Sequence, residues 1–271
     1  MTKLIVVGNT AAGGVGKTTL VQLLAEMNRR GGSELVVMLA DDKGKRVDGG
    51  VDVADMLPHH KVVWLGAGPD SASIEADPDA LNRHWDKLDA VLKEHSVLLD
   101  LGANVLQRLG DYATRMRLAS RWAKKGIGVE MWVPFNNTPS NIECALTSLQ
   151  LGATAFGTQA LVAVRNEKDG PFTGWDGSPY AKAFKAFEKA GTRVVTLPKC
   201  PAPTAGMEAA MRHRVGFFSI ADMDEDDVPG ALAVDGPVAL RTKFGVEDWI
   251  TATYSQFAGL VPERAGELAG N

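Results

Sequence analysis

The chain has 271 residues, with 29 Lys+Arg against 33 Asp+Glu for a formal net charge of −4, and is 45% hydrophobic and 23% charged. That length suffices for a large buried core, and the composition excludes wholesale disorder. Mild acidity excludes a broad basic face that holds nucleic acid by net charge alone. Two cysteines, Cys144 and Cys200, provide neither a disulfide framework nor a CxxC metal site. The apolar runs fall well short of the roughly 18 residues of a spanning helix. One lysine and a four-residue apolar run precede Gly8, too little for a signal peptide. These features predict a cytoplasmic protein with no membrane partner.

Short apolar runs alternate with longer stretches of helical periodicity, the pattern of an α/β protein with a mostly parallel sheet flanked by helices. The first strand is expected over Leu4–Val7. Thr18–Arg30 follows as an amphipathic helix with Leu20, Leu23, Leu24 and Met27 on one face, ended by Gly31-Gly32. Strands are then expected at Leu35–Leu39, Val62–Leu65 and Val97–Asp100, with a helix over Asp79–Glu94 between the last two. Tyr112–Lys125 reads as helix, Gly128–Val133 as strand, Ser140–Leu151 as helix and Ala160–Arg165 as strand. Ser178–Ala190 and Arg193–Leu197 complete the alternation as helix and strand. ADMDEDD at 221–227 reads as a solvated acidic loop, and Glu247–Val261 as a helix packed on the body of the protein. The expected organisation is a nucleotide-binding domain over 1–220, with 221–271 adding the acidic loop and C-terminal helix to the same domain.

GGVGKTT at 13–19 lies between the first strand and the first helix, the context a P-loop requires. Gly13, Gly14, Val15 and Gly16 would turn backbone N–H groups toward phosphate oxygens, at a helix N-terminus whose dipole favours anions. Lys17 supplies a point charge at the β/γ-phosphates, Thr18 a hydroxyl for Mg²⁺, and Thr19 a bond to the α-phosphate. SVLLDLGAN at 96–104 supplies the acidic residue such a site needs: Asp100 ends a buried run and would hold Mg²⁺ through water. Gly102 would let backbone approach the γ-phosphate.

GGVGKTT, LADDKGKR and LLDLGAN together resemble the ParA/MinD superfamily of deviant Walker A ATPases. The DLGAN segment is most similar to the plasmid mobilisation and stability branch, the TraL, StbB and MobD types. The resemblance spans roughly 1–215. It implies a SIMIBI-type P-loop NTPase fold, ATP and Mg²⁺ as cofactors, slow hydrolysis and a nucleotide-dependent homodimer. The implied processes are plasmid mobilisation, partition or intracellular positioning, through an unidentified protein partner. It places Asp42 as the residue that orients the attacking water, with Asp41 beside it able to share that role. It also implies that Asn166, at the end of the sixth strand, bonds the purine edge, and that Pro198 either packs on the ring or serves as a simple turn proline. Non-specific DNA binding by members of the superfamily points to Arg212 and Arg214 in MRHR at 211–214.

The chain departs from the family at Ala12, where the signature lysine of KGGxGKT would stand. Its absence leaves a slow nucleotide-loaded switch, substitution by Lys43, Lys45 or Arg46, and a pseudo-ATPase scaffold all open, and an engineered alanine is a further reading. Asn166-Glu167-Lys168-Asp169 is also similar to the NKxD guanine motif, with Glu167 in place of lysine, so a GTPase stands as an alternative, as does a small-molecule ligase or kinase on the same scaffold. Asn136 and Asn137 either line the nucleotide or dimer cleft or serve as loop residues. His59-His60 is expected on a surface loop, Gly170–Trp175 as a loop with aromatic anchors, and Cys144 as a small core residue.

Overall fold

The computed structural model describes residues 2–11, 13–41, 52–77, 79–173 and 175–263. The described residues form one seven-stranded sheet in the order β3-β2-β4-β1-β5-β6-β7, every neighbouring pair parallel. The strands are β1 (Lys3–Val7), β2 (Leu35–Ala40), β3 (Val62–Trp64), β4 (Ser96–Leu101), β5 (Gly128–Phe135), β6 (Leu161–Asn166) and β7 (Arg193–Leu197). Each lies where an apolar run predicts it, with ends moved by a residue or two. A parallel sheet buries both faces, which is why its strands read as continuous apolar runs rather than alternating ones.

Side-chain alternation divides these strands between two cores. On one face Leu4, Val6, Met38, Leu99, Val133 and Phe135 pack beneath α4 (Ala80–Leu92), α5 (Ala103–Arg115), α6 (Leu118–Lys124), α7 (Pro139–Phe156) and α8 (Pro179–Lys189). On the other, Ile5, Val7, Val37, Leu39, Leu98 and Trp132 pack beneath α1 (Lys17–Arg30) and a C-terminal group of helices. That group is α9 (Thr204–His213), α10 (Phe217–Asp222), α11 (Val228–Leu232) and α12 (Gly236–Gln256). Two short helices, α2 (Asp52–Met56) and α3 (Ser71–Ala76), lie between β2 and α4.

Three stretches differ from expectation. The predicted helix at Tyr112–Lys125 is the end of α5 plus α6, broken at Arg117, whose backbone is left-handed with φ 52°. The C-terminal helix starts eleven residues before Glu247, at Gly236, where the Asp235 carboxylate accepts from Val238 N–H. It ends at Gln256, and Phe257 continues as a turn buried against Trp132. The acidic stretch 221–227 runs from the end of α10 into the turn before α11; its residues from Asp224 to Asp227 are exposed, while Asp222 pairs with Arg30 of α1. Tight packing explains why α9 and α12 carry glycines: a Cβ on Gly206 would strike Thr242, and one on Gly245 would lie 2.7 Å from the Ala202 backbone.

Candidate functional site

The C-terminal ends of the central strands define the site. β4 is the direct neighbour of β1, so the strand carrying Asp100 stands beside the strand feeding the P-loop, with Val7 opposite Asp100. The loop's departure from β1 is fixed by buried polar contacts. Asn9 donates from Nδ2 to the Pro134 carbonyl at 2.7 Å, while its Oδ1 accepts from Ala11 N–H at 2.7 Å. Thr10 N–H donates to Ser148 Oγ at 2.9 Å, and Thr10 Oγ1 to the Cys144 carbonyl at 3.0 Å. The loop is thereby tied to β5 and α7. Sequence reasoning missed Asn9, Thr10 and Ser148; the one available signal was a polar Asn-Thr pair directly after an apolar strand.

Gly14 and Gly16 take left-handed backbone, φ 72° and 92°, which side chains disfavour. Gly13 and Gly14 face open space where a Cβ would stand. Gly16 is the N-cap of α1, with no side-chain cap bond, so the helix's first N–H groups meet whatever enters the loop. Lys17, Thr18 and Thr19 are the first three residues of that helix, all half-buried. The Lys17 ammonium donates to the Ala11 carbonyl at 3.3 Å, folded back across the loop. Burial lowers its pKa, while the charges of Asp100 and Asp41 pull the other way. Asp100 is pushed up to about 6 by burial, with Lys17 opposing the rise and Asp41 adding to it. Lys17, Asp100 and Asp41 therefore feel one another's charge.

Asn166 sits at the end of β6 and is 3% exposed. Its Nδ2 donates to the Val15 carbonyl at 3.0 Å, and its Oδ1 accepts from Lys168 N–H at 3.1 Å. A Cβ on Gly16 would lie 2.2 Å from that Nδ2, so Gly16 and Asn166 fit against each other. Asn166 thus acts as a strut under the P-loop. Three residues on, Asp169 Oδ2 accepts from Asn136 Nδ2 at 2.6 Å, and Asn136 Oδ1 accepts from Asn141 Nδ2 at 2.8 Å. Asn136 is buried and joins the ends of β5 and β6. Pro198 follows Leu197, the residue opposite Asn166 on β7, and its carbonyl accepts from Trp249 Nε1 at 2.7 Å.

Other predicted positions fall elsewhere. Asp42, Ala12, Lys43, Lys45 and Arg46 lie outside the described residues. Arg212 and Arg214 lie at the C-terminal end of α9, away from the P-loop in sequence and element; Arg214 pairs with Asp55 at 3.5 Å. His60 is not on an open surface loop: its side chain is 2% exposed, and its Nε2 lies 3.0 Å from Glu26 Oε1. Phe172 and Trp175 pack their rings against Phe135. Cys144 is half-buried on α7.

The donor set suits a nucleoside triphosphate with Mg²⁺. The loop offers backbone N–H groups and an ammonium to phosphates, and Thr18 and Asp100 offer the oxygen ligands that a hard cation prefers. Among the described residues no group of three or more His, Cys, Asp or Glu could hold a metal ion. Mg²⁺ commonly relies on one or two carboxylates plus substrate phosphates, so this sparse set fits. Among the described residues, too, no helix is long and apolar enough to cross a membrane.

No protein-family model matches the chain, and no curated protein matches it. Among solved structures, it is similar to a ParA family ATPase from Chlorobium tepidum TLS, with TM-score 0.43 and 12% identity over 92% of this chain and 98% of that one. Cyanothece McdA in complex with ATP matches with TM-score 0.41 and 11% identity, covering 92% of this chain and 96% of that one. The signal recognition particle receptor FtsY from Elizabethkingia anophelis matches with TM-score 0.40 and 18% identity over 72% of this chain. The chain spans 58% of that receptor's length.

Proposed function

We propose that this protein is a ParA/MinD-like, nucleotide-driven dimerisation switch that binds ATP with Mg²⁺ and hydrolyses it slowly. One observation carries the reading: Gly14 and Gly16 take left-handed backbone in the loop that leads into Lys17 at the start of α1, and Asp100 stands on the neighbouring strand opposite Val7, the last residue of β1. Phosphoryl transfer asks a protein mainly for positioning and charge stabilisation, which such an arrangement offers. In this reading Gly13, Gly14, Val15 and Gly16 cradle the phosphates, Lys17 neutralises them, and Thr19 adds a hydroxyl. Thr18 and Asp100 hold the cation, and Asp42 orients water. Bound Mg²⁺ supplies charge neutralisation on the phosphates.

Plasmid mobilisation, partition or intracellular positioning is the process this switch would serve, as a homodimer with a protein partner. Non-specific DNA contact would centre on Arg212, the exposed cation of MRHR, since Arg214 already pairs with Asp55. Phosphate release from ATP, alone and with DNA, tests the reading in the natural chain and in Ala12→Lys. The expected result is slow release that rises in the variant. Binding without release in either chain would favour a pseudo-ATPase scaffold, and absence of ATP binding would refute the proposal.

A guanine-nucleotide reading has one specific observation behind it. Asp169 is an acceptor-only carboxylate held in place by Asn136, and guanine offers two N–H donors on its edge where adenine offers one. Competition of ATP and GTP for a fluorescent analogue separates the two.

A further inference from the structure

At the starts of the strands, on the sheet edge opposite the P-loop, several polar residues converge. β3, β2 and β4 are consecutive neighbours and begin at Val62, Leu35 and Ser96. Just before those starts stand His59, His60 and Lys61, then Glu34, then His95. Arg29 joins them from the last turn of α1. All six line one cleft of about 190 Å³. The chain has five histidines, and three of them are gathered here.

Glu26, buried on α1, fixes two of the lining groups. Its Oε2 accepts from Arg29 Nε at 3.1 Å and Nη2 at 2.9 Å, and its Oε1 lies 3.0 Å from His60 Nε2. Among the described residues Arg29 Nη1 is left without a partner. Lys61, His59 and His95 are exposed, and among the described residues their side chains make no ion pair or hydrogen bond. The permanent charges balance in number: Glu26, Glu34 and Asp222 against Arg29, Lys61 and Arg30, the last paired with Asp222. The histidines therefore decide the sign of the cleft, and histidine is the side chain that gains charge between pH 8 and pH 5. Guanidinium, ammonium and imidazole N–H groups without fixed partners are what the acceptor oxygens of a tetrahedral anion require.

We propose that this cleft binds a small oxyanion, either free phosphate or the phosphoryl end of a small monoester, on Arg29, Lys61, His59 and His95. Glu26 holds the Arg29 guanidinium in place for it. The cleft's 190 Å³ lies below the roughly 300–1,000 Å³ of pockets for drug-sized ligands, so the occupant is smaller than a nucleotide. The site is separate from the P-loop and independent of the nucleotide-binding reading.

The test is a sulfate titration of the full chain followed through histidine Cε1–H NMR signals, with chloride at matched ionic strength as the reference. Sulfate keeps its charge between pH 8 and pH 5, so any pH dependence belongs to the protein. The signals of His59 and His95, assigned with His59→Gln and His95→Gln, should move together and saturate. Those of His84 on α4 and His213 at the end of α9 should stay in place. Lys61→Ala should weaken binding about fivefold, the order of effect of one unit charge at contact distance in water. Glu34→Gln should strengthen it by about the same factor, which a merely structural lesion would not do. Affinity should rise about tenfold from pH 8 to pH 6 as the imidazoles take up protons. Displacement of sulfate by phenyl phosphate assigns the monoester end, and displacement by inorganic phosphate alone assigns the free anion. Still signals at His59 and His95, equal movement of His213, or unchanged affinity in Lys61→Ala overturns the proposal. Sulfate bound only at the P-loop would give the first of these results and leave the nucleotide site standing.

Discussion

Replacing Asn166 by alanine probes the strut that holds the P-loop against β6. The substitution removes the Nδ2 donor to the Val15 carbonyl and the Oδ1 acceptor for Lys168 N–H. Lys168 is exposed and its N–H can turn to water, but Val15 is 1% exposed and its carbonyl faces the vacated volume. An unsatisfied buried acceptor costs about 1–3 kcal/mol, and a small cavity adds to that. A loss of about 2–3 kcal/mol is expected, which for a chain of this size lowers Tm by roughly 4–12 °C. Asn166→Asp separates the bond from the volume: the carboxylate keeps the size and the acceptor for Lys168 but sets a charge against the Val15 carbonyl. It should melt at or below the alanine variant. Calorimetry without nucleotide gives the melting temperatures, and a fluorescent nucleotide analogue should show about tenfold weaker binding by both variants. An aspartate variant melting within about 1 °C of the natural chain would show that the strut carries no stability.

Gly16→Ala should be worse than Asn166→Ala, because it adds left-handed strain of about 1–2 kcal/mol to a 2.2 Å clash with Asn166 Nδ2. In the Asn166→Ala background its cost should fall toward the strain alone, which a double-mutant cycle by urea unfolding reads directly. For Glu26, burial raises the pKa, but hydrogen bonds from His60 and Arg29 outweigh it and bring the carboxyl from 4.5 to about 2. Its folded-state pKa is depressed, so its contribution is present in full above about pH 4.5 and is lost as pH falls toward 2. That contribution is roughly 3 kcal/mol at neutral pH. Glu26→Gln should flatten the stability difference between pH 5 and 3, and an unchanged slope in urea titrations would contradict the pairing. Gly245→Ala should cost about 1–3 kcal/mol by driving a methyl into the Ala202 backbone; a neutral effect on urea unfolding would show that α12 yields.

The sheet was legible because parallel strands buried on both faces announce themselves as apolar runs, and the P-loop because glycine spacing, lysine and helix follow in fixed order. The break at Arg117 left no trace: a left-handed arginine carries none of the glycine or proline signals that mark a helix end. α9 was obscured by its small residues, whose value lies in the contact of Gly206 with Thr242, a partner 36 residues away. Gly245 hid the first half of α12 for the same reason, through its contact with the Ala202 backbone. Within the site, the residues that touch phosphate in the proposed reading follow a motif, but those that hold the motif do not. Asn9, Ser148 and Asn136 act through tertiary contacts with loop and strand ends distant in sequence. Nor does the motif signal that the Asn166 amide donates to the Val15 carbonyl and accepts from Lys168 N–H.

The core beneath α1 is closed by Trp249, Ile250 and Phe257, in α12 and the turn that follows it. During synthesis the P-loop helix leaves the ribosome long before α12, with Leu20, Leu23, Leu24 and Met27 ready to be buried. Part of the surface that shields them arrives only with that later helix. Until α12 docks, the nascent protein presents an apolar sheet face and an unclosed P-loop together, so chaperone demand and, in the proposed reading, the onset of nucleotide binding should share one moment in biogenesis.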